Sequence, residues 1–436
     1  VTKRVYLETY GCQMNVADSE LILGQLERDG YAVTSDPSEA SVMLVNTCAV
    51  RDNAEQRVIG RMGERPGVVL GVVGCMAQRL GETLLQDAPH VDLVVGPDGY
   101  RGLPDLVASA ADGARVADVA FKAWEHYEDL PARRTLSQPS AFVTVQRGCD
   151  YRCTFCIVPM TRGRERSRKL EDVVREVGAL AAQGVSEVTL LGQTVNSYDD
   201  GERDFADLLR AVGDVDGIRR VRFTSPYPND FSDRAITAMA EVATVCEHVH
   251  LPVQSGSSRL LKRMGRRYDR EGYLDCVARL RAAIPTIAVT TDIIVGFPGE
   301  TEADFLETVS LVHEVGYDDA FTFRYSPRDG TGALRLSEPV PEPVAAERLE
   351  RLIAEVREVA RQRNFRLVGS THEVLVERIA RRGGRLQCRT RTNKVVLLDG
   401  PESWIGTYRE VRLVGTSGAT FTGVPASPIR ELAVIT

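Results

Sequence analysis

The chain has 436 residues, 43% of them hydrophobic and 26% charged, the composition of a globular protein of about three domains at roughly 150 residues each. Its longest apolar stretch, VVLGVVG at 68–74, falls far short of the ~18 uninterrupted apolar residues of a spanning helix. VTKRVYLETYGC carries no hydrophobic signal core, so no membrane association and a cytoplasmic location are expected. There, nine cysteines read as metal ligands or core residues rather than disulfides. The net charge of −7 argues against nucleic-acid binding by the chain as a whole.

From the start to residue 118, one kind of unit repeats. RVYLETYGC reads as a strand ending at Cys12, and DSELILGQLERDG after it as a capped amphipathic helix stopping at Gly30. SVMLVNTC is a strand ending at Cys48, followed by the helical NAEQRVIGRM. VVLGVVGC is a strand ending at Cys75, followed by the helical MAQRLGETLLQ. Loops at one edge of a parallel sheet lie side by side, so Cys12, Cys48 and Cys75 can converge although they are 36 and 27 residues apart. Three separately buried cysteines are the bland alternative, because free cysteine is a common core residue. A zinc site completed by histidine has only His90 to draw on here and lacks a close ligand pair. The repeated strand–Cys–helix placement favours an open centre of three thiolates.

Residues 140 to 330 alternate strand and helix. AFVTVQRG, SEVTLLG, RRVRFTS, HVHLPVQ, AVTTDIIVGF and DAFTFRYS read as six strands. Between them stand five helices, starting near Glu171, Phe205, Asp233, Tyr273 and Ala303. Parallel strands with right-handed helical crossovers curl toward a barrel. Six units are two short of a closed one, so a partial barrel is expected, with chemistry at the carboxyl ends of its strands.

GCDYRCTFC (148–156) sits at the carboxyl end of the first of these strands and carries Cys149, Cys153 and Cys156 at spacing C-x3-C-x2-C. Structural zinc is closed by four ligands, whereas three cysteines on a 4Fe–4S cube leave one iron open. Behind the loop, TRGRERSRK (161–169) offers Arg162, Arg164, Arg166, Arg168 and Lys169. They suit RNA phosphates or a cofactor carboxylate, or simply a solvated approach to the next helix. Cys246, Cys276 and Cys388 read as structural.

From Arg366 to Thr436 there are eleven Lys/Arg against six Asp/Glu, a net of +5 that leaves −12 on the remainder. A basic tail on an acidic body is the asymmetry of an appended anion- or RNA-binding module. THEVLVERIARRGGRLQCRTRTNKVVLLDG (371–400) reads as short strands around a Gly-Gly turn, and Arg381, Arg382, Arg385, Arg389, Arg391 and Lys394 are its charge source.

With Phe155 before its last cysteine, the loop resembles the cluster loop of radical S-adenosylmethionine enzymes. The N-terminal cysteines, barrel and basic tail together resemble the methylthiotransferase family of that group, over essentially the whole chain. GCQMNVADSE (11–20), LLGQTVNSY (190–198), LPVQSGSSRLLKRMGR (251–266) and DIIVGFPGETEADF (292–305) all look like family blocks. GCQMN is similar to the branch that modifies isopentenylated adenosine in tRNA rather than to the ribosomal-protein or threonylcarbamoyladenosine branches. Met160 stands where relatives often have tyrosine, and the prolines they carry around Asp329 and Gly332 are absent.

The resemblance implies an α/β chain: an N-terminal α/β domain (1–118), a partial (β/α)6 radical-SAM core (135–365) and a small TRAM β-barrel that binds RNA (366–434). It implies two 4Fe–4S clusters, one on Cys149, Cys153 and Cys156 that binds and cleaves S-adenosylmethionine, the other on Cys12, Cys48 and Cys75 carrying sulfur. The implied product is a methylthio group on carbon 2 of isopentenyladenosine at position 37, beside the tRNA anticodon. Gly192 and Gln193 would meet the methionine amino group, Gln254 and Ser255 the ribose, and Gly296 and Phe297 the adenine. A monomer supplied by a flavodoxin- or ferredoxin-type electron donor is expected. Methylthiolation of a ribosomal-protein aspartate and a non-catalytic iron–sulfur RNA-binding sensor are the alternatives.

Overall fold

The computed structural model describes residues 3–49, 67–130, 132–133 and 138–426. Its first part is a six-stranded, all-parallel sheet of β1 (Arg4–Tyr10), β2 (Ala32–Val33), β3 (Val42–Thr47), β4 (Val69–Gly74), β5 (Leu93–Val95) and β6 (Val116–Asp118), in the order β2-β1-β3-β4-β5-β6. VMLVNT and VLGVVG are buried at every position, as parallel strands covered on both faces must be. Their alternate residues feed two cores: Val42 and Leu44 pack with Ile22, Leu26 and Val107, whereas Met43 and Val45 pack with Leu70, Val72 and Met76.

Helix α1 (Gln13–Arg28) begins at N-cap Cys12, earlier than the expected start at Asp18. Asn15 completes its capping box, and Asp18 is a fully buried charge inside the helix rather than its cap. The helix expected over MAQRLGETLLQ is broken at Gly81, where φ is 57°, into α2 (Cys75–Leu80) and α3 (Thr83–Asp87). Helix α4 (Leu103–Ala111) follows. The helix expected over NAEQRVIGRM lies outside the described residues.

The six expected barrel strands are all present: β7 (Ser140–Thr144), β10 (Glu187–Leu191), β11 (Arg220–Phe223), β12 (His248–His250), β13 (Ala288–Val295) and β14 (Asp319–Arg324). Between β7 and β10 lies a small antiparallel ribbon, β8 (Gln146–Arg147) with β9 (Arg166–Ser167). The parallel sets β7-β10-β11 and β12-β13-β14 are joined by a bridge between Val221 and Val245, giving an open six-stranded barrel. Its helices are α5 (Val158–Arg162), α6 (Leu170–Ala182), α7 (Phe205–Gly213), α8 (Asp233–Glu241), α9 (Ser258–Arg263), α10 (Arg270–Ala283) and α11 (Glu302–Val315). Then comes α12 (Glu342–Phe365), whose Leu352, Val356 and Val359 join the barrel core. Its apolar positions at helical spacing are a signal the chain-order reading passes over, because charged residues surround them.

The tail is a closed barrel of β15 (Thr371–Ile379), β16 (Leu386–Thr390), β17 (Val395–Leu398), β18 (Tyr408–Thr416) and β19 (Thr420–Pro425), in the order β15-β16-β17-β19-β18. Cys388 belongs to its core and Cys276 to that of the large barrel. This tail docks on the amino ends of the large barrel's strands. Arg220, at the start of β11, donates to the Arg389 carbonyl at 2.8 Å, and Arg222 donates to the Thr390 carbonyl at 2.8 Å. Tyr408 meets Ser186 just before β10 at 3.1 Å. Among the described residues no helix is long and apolar enough to cross a membrane.

Candidate metal centre

The register of the N-terminal sheet aligns three strand ends: Tyr10 pairs with Thr47, and Thr47 with Gly74. Cys48 and Cys75 follow directly and Cys12 one residue later, so all three stand on one edge. Gly74 turns the chain into Cys75 with φ at 92°, and a Cβ there would lie 2.3 Å from Asn46 Oδ1. Only glycine fits that position. Beneath the edge, fully buried Asn15 and Asn46 tie α1 to β3: Asn15 Nδ2 donates to Asn46 Oδ1 at 3.0 Å, and Asn46 Nδ2 to the Asn15 carbonyl at 2.8 Å.

At the carboxyl end of the first barrel strand, Gly148 (φ 74°) leads into Cys149, and a Cβ on it would sit 1.9 Å from the Arg164 carbonyl oxygen. Hydrogen bonds then hold the loop, from Cys149 N to the Gly163 carbonyl (3.2 Å) and from Thr154 N to the Met264 carbonyl (2.8 Å). Gln193 Oε1 accepts from Gly148 N, and Gln146 Oε1 accepts from Gln193 N at 2.8 Å. Phe155 stands edge-on to Phe297, with centroids 6.4 Å apart.

The two thiol triads share a cavity. Cys12, Cys48, Cys75, Cys149, Cys153 and Cys156 all line one space of about 270 Å³, with Gly192, Gln193 and Gln254 on the same wall. Ser255, Gly296 and Phe297, the other expected cofactor contacts, are not on that lining. Ser255 is fully buried and bonds Thr308 at 3.2 Å, Gly296 N donates to Glu300 at 2.7 Å, and Phe297 packs behind Phe155 with Leu260 and Met264. They support the wall from behind.

Two arginines that the sequence reading did not single out as thiol partners donate to the triads, one each. Arg162 Nε lies 3.2 Å from Cys75 Sγ, and Arg266 Nη1 lies 3.3 Å from Cys153 Sγ. Arg266 is held by the rings of Tyr227 and Tyr268, at 4.3 and 4.9 Å. The Cys12 thiol is pulled down to about 6, by the Cys48 side chain first and by Arg162. Burial instead pushes Cys149 up to about 11 and Cys156 up to about 12. Buried thiols with raised pKa values become ligands only when a cation replaces their protons.

Among the described residues no three His, Cys, Asp or Glu side chains converge on one ion. Two all-sulfur triads around a shared space suit polynuclear iron–sulfur clusters, which need their thiolates further apart than a single zinc does. His90 is not on the lining.

Most of the arginine run after the loop is engaged rather than free, and two of its members clamp the barrel to the N-terminal sheet. Buried Arg162 grips Asp18 through both terminal nitrogens, at 3.2 and 2.7 Å. Arg166 and Arg147 share the buried carboxylate of Asp98 at 3.0 and 3.1 Å. Arg168 pairs with Glu176 at 2.6 Å, and Lys169 donates to the Asp200 carbonyl at 2.7 Å. Arg164 alone of the five is exposed without a side-chain partner among the described residues.

The tail's cations divide in the same way. Arg389 pairs with Glu377 within the tail, while Arg391 pairs with Glu247 (2.8 Å) and Lys394 with Asp318 (2.9 Å) on the large barrel. Those three are committed to internal pairs and docking, contrary to the expectation that all six face RNA. Arg381, Arg382 and Arg385, at the β15–β16 turn, have no side-chain hydrogen bond or ion pair among the described residues, and the first two are exposed.

Family models match in three places: the Radical SAM superfamily at residues 143–312, the TRAM domain at 366–417, and an uncharacterized protein family, UPF0004, at 4–96. Among solved structures, the radical S-adenosylmethionine methyltransferase TsrM of Kitasatospora setae is similar with a TM-score of 0.57 and 17% identity, over 74% of this chain and 75% of that one. The cobalamin-dependent S-adenosylmethionine radical enzyme OxsB is similar with a TM-score of 0.54 and 13% identity, over 81% of this chain and 56% of that one. At those identities the likeness is one of fold. Fold and superfamily match place the molecule among the radical S-adenosylmethionine enzymes.

Whole-chain relatives narrow this. The tRNA-2-methylthio-N(6)-dimethylallyladenosine synthase of Porphyromonas gingivalis is 46% identical over 98% of this chain and 96% of its own length. Its namesake in Bacteroides thetaiotaomicron is 46% identical over 97% and 96%, and the one in Thermoanaerobacter sp. is 45% identical over 98% and 93%. The chain belongs to this methylthiotransferase family.

Proposed function

We propose that the chain methylthiolates carbon 2 of N6-isopentenyladenosine at position 37 of tRNA, using S-adenosylmethionine. The observation that carries this reading is the single cavity walled by both thiol triads, set beside whole-chain relatives named for that product. Cys149, Cys153 and Cys156 hold one 4Fe–4S cluster, and Cys12, Cys48 and Cys75 hold a second. When bound, the clusters and S-adenosylmethionine supply the electron, the 5′-deoxyadenosyl radical, the sulfur and the methyl group. A flavodoxin- or ferredoxin-type protein in the cytoplasm is the proposed electron source.

The chain's own residues position and enclose. Gly192 presents bare backbone to the cavity, and Gln193, its amide oxygen held by Gly148 N, orients the amino acid end of S-adenosylmethionine. Gln254 lines the same wall with a positive φ of 74°, four residues past the end of β12 and bridged to Ile293 of β13. Arg162 and Arg266 direct positive charge at one thiolate of each triad. Because both triads open on one space, a target base drawn out of its stack meets the radical source and the sulfur carrier without moving between sites.

The test incubates anaerobically reconstituted protein with isopentenylated tRNA, S-adenosylmethionine and a reductant, then digests the tRNA for nucleoside mass spectrometry. A nucleoside with methylthio in place of one hydrogen is the expected product. Release of 5′-deoxyadenosine with unmodified tRNA would keep the radical chemistry and refute the substrate.

A further inference from the structure

The tail barrel docks on the amino ends of the large barrel's strands, whereas the thiol cavity opens at the carboxyl ends. An RNA strand delivering a base into the cavity therefore lays its nearest phosphates on a surface the tail does not cover. Those phosphates carry one charge per nucleotide and need cations close to the cavity mouth.

Beside the cavity lies a groove of about 670 Å³ between the turn after β11 and the helices α9 and α10. Arg266 belongs to both walls, so the two spaces are neighbours on either side of its side chain. Lys262 and Arg267 line the groove, are exposed, and make no side-chain hydrogen bond or ion pair among the described residues. The groove's acids are already engaged: Asp269 caps α10 through Gly272 N at 2.9 Å, and Asp275 pairs with Arg279 at 3.1 Å. Arg279 is held further by Asp233 at 2.9 Å. Asp269 keeps its charge at the helix start, and Lys262 and Arg267 are the two cations of the lining left without a side-chain partner among the described residues, so the groove keeps a positive balance for an anionic ligand. Arg267 lies 4.8 Å above the ring of Tyr151, in the cysteine loop, and Tyr151 stacks on Tyr227 with centroids 3.8 Å apart. Groove and cavity are thus linked by a cation over an aromatic pair, the combination that tracks single-stranded nucleic acid.

We propose that this groove, through Lys262 and Arg267, binds the phosphates of the RNA strand flanking the target nucleotide. The proposal rests on the reading of RNA as substrate, and it makes the groove a second RNA contact distinct from the tail's turn.

The test measures binding of a fluorescent synthetic anticodon stem-loop RNA to the anaerobic holoenzyme across a potassium chloride series. It compares wild type, Lys262→Gln/Arg267→Gln, and Arg381→Gln/Arg382→Gln/Arg385→Gln. Both side chains in the groove are exposed, and thermal melting verifies that the double variant is folded. Loss of two phosphate contacts makes the log affinity–log salt slope shallower by about 1.4, at roughly 0.7 per single-strand contact, and weakens binding at low salt. A double variant with wild-type slope and affinity overturns the groove while RNA remains the substrate. A wild-type protein that fails to bind the stem-loop overturns the RNA reading together with the groove.

Discussion

Arg162 and Cys75 are 87 residues apart in sequence, yet Arg162 Nε lies 3.2 Å from Cys75 Sγ. The arginine comes from the short helix behind the barrel's cysteine loop, and the cysteine starts the helix after β4 of the N-terminal sheet. Asp18 fixes the guanidinium from its other side. One triad's electrostatic setting is therefore supplied by the helix that directly follows the loop carrying the other.

That contact predicts a redox effect. Hydrogen bonds to ligand sulfur help set an iron–sulfur potential, and a cation beside the thiolate favours the reduced, more negative state. In a Cys149→Ala/Cys153→Ala/Cys156→Ala background only the proposed N-terminal cluster would remain. There, Arg162→Gln shifts its midpoint potential to more negative values in an EPR-monitored titration, and Arg162→Lys restores part of the shift. Equal potentials in all three would show that Arg162 only packs.

Asp98 carries two buried guanidiniums, from Arg147 and Arg166, and accepts the Lys122 amide at 2.9 Å. Removing one partner of a buried pair leaves an uncompensated charge, at a cost of about 3–5 kcal/mol. Asp98→Ala is expected to lose that much in urea unfolding and to separate the N-terminal sheet's transition from the barrel's. A single transition at an unchanged midpoint would refute the clamp.

Thiol reactivity in the cluster-free protein should divide the cysteines. With its pKa down to about 6 from an ordinary 9.0, Cys12 is thiolate at neutral pH, whereas Cys149 and Cys156 stay protonated at about 11 and 12. The thiolate is the nucleophile, so iodoacetamide should label Cys12 fastest, with a rate that falls only as pH drops through about 6. The sign for stability follows: a depressed pKa adds stability above pH 9, and this is lost between 9 and 6 as the cysteine takes up its proton. Peptide mass spectrometry over a pH series reads the labelling directly; a Cys12 rate rising only above pH 8 would contradict it.

In the tail, the two groups of cations should separate by phenotype. Arg381→Ala/Arg382→Ala/Arg385→Ala is expected to weaken stem-loop RNA binding and flatten its salt dependence, with melting unchanged. Arg391→Ala, which loses Glu247 and the Ala243 and Val245 carbonyls, is expected to lower the melting temperature instead. The reverse pattern would mean that the tail detaches from the barrel to bind RNA.

The sequence reading and the structure agree where periodicity carries the information. The aligned strand ends and the cysteines that follow them are visible because strands such as β3, β4 and β10 are buried throughout and read as apolar runs with a sharp stop, while the less buried barrel strands are marked by their alternation with helical segments. Charged residues whose partners are distant were not visible. Arg162 and Asp18 lie 144 residues apart, so TRGRERSRK looks like a solvated run although three of its arginines are paired and largely buried. Arg391 and Lys394 look like RNA contacts for the same reason, since nothing local identifies Glu247 and Asp318 as their partners. Asn15 stands in the GCQMN block, but nothing local shows that it bonds Asn46, 31 residues away.

The central claim is that two three-thiolate clusters face one another across a shared cavity. EPR of the fully reduced holoenzyme, compared with the two triple Cys→Ala variants that each retain one cluster, tests it most directly. Two paramagnets facing one cavity couple, so the account predicts a wild-type spectrum broadened and split relative to the sum of the variants. A wild-type spectrum equal to that sum, with both clusters present by iron content, would place them too far apart to serve one base and would contradict it.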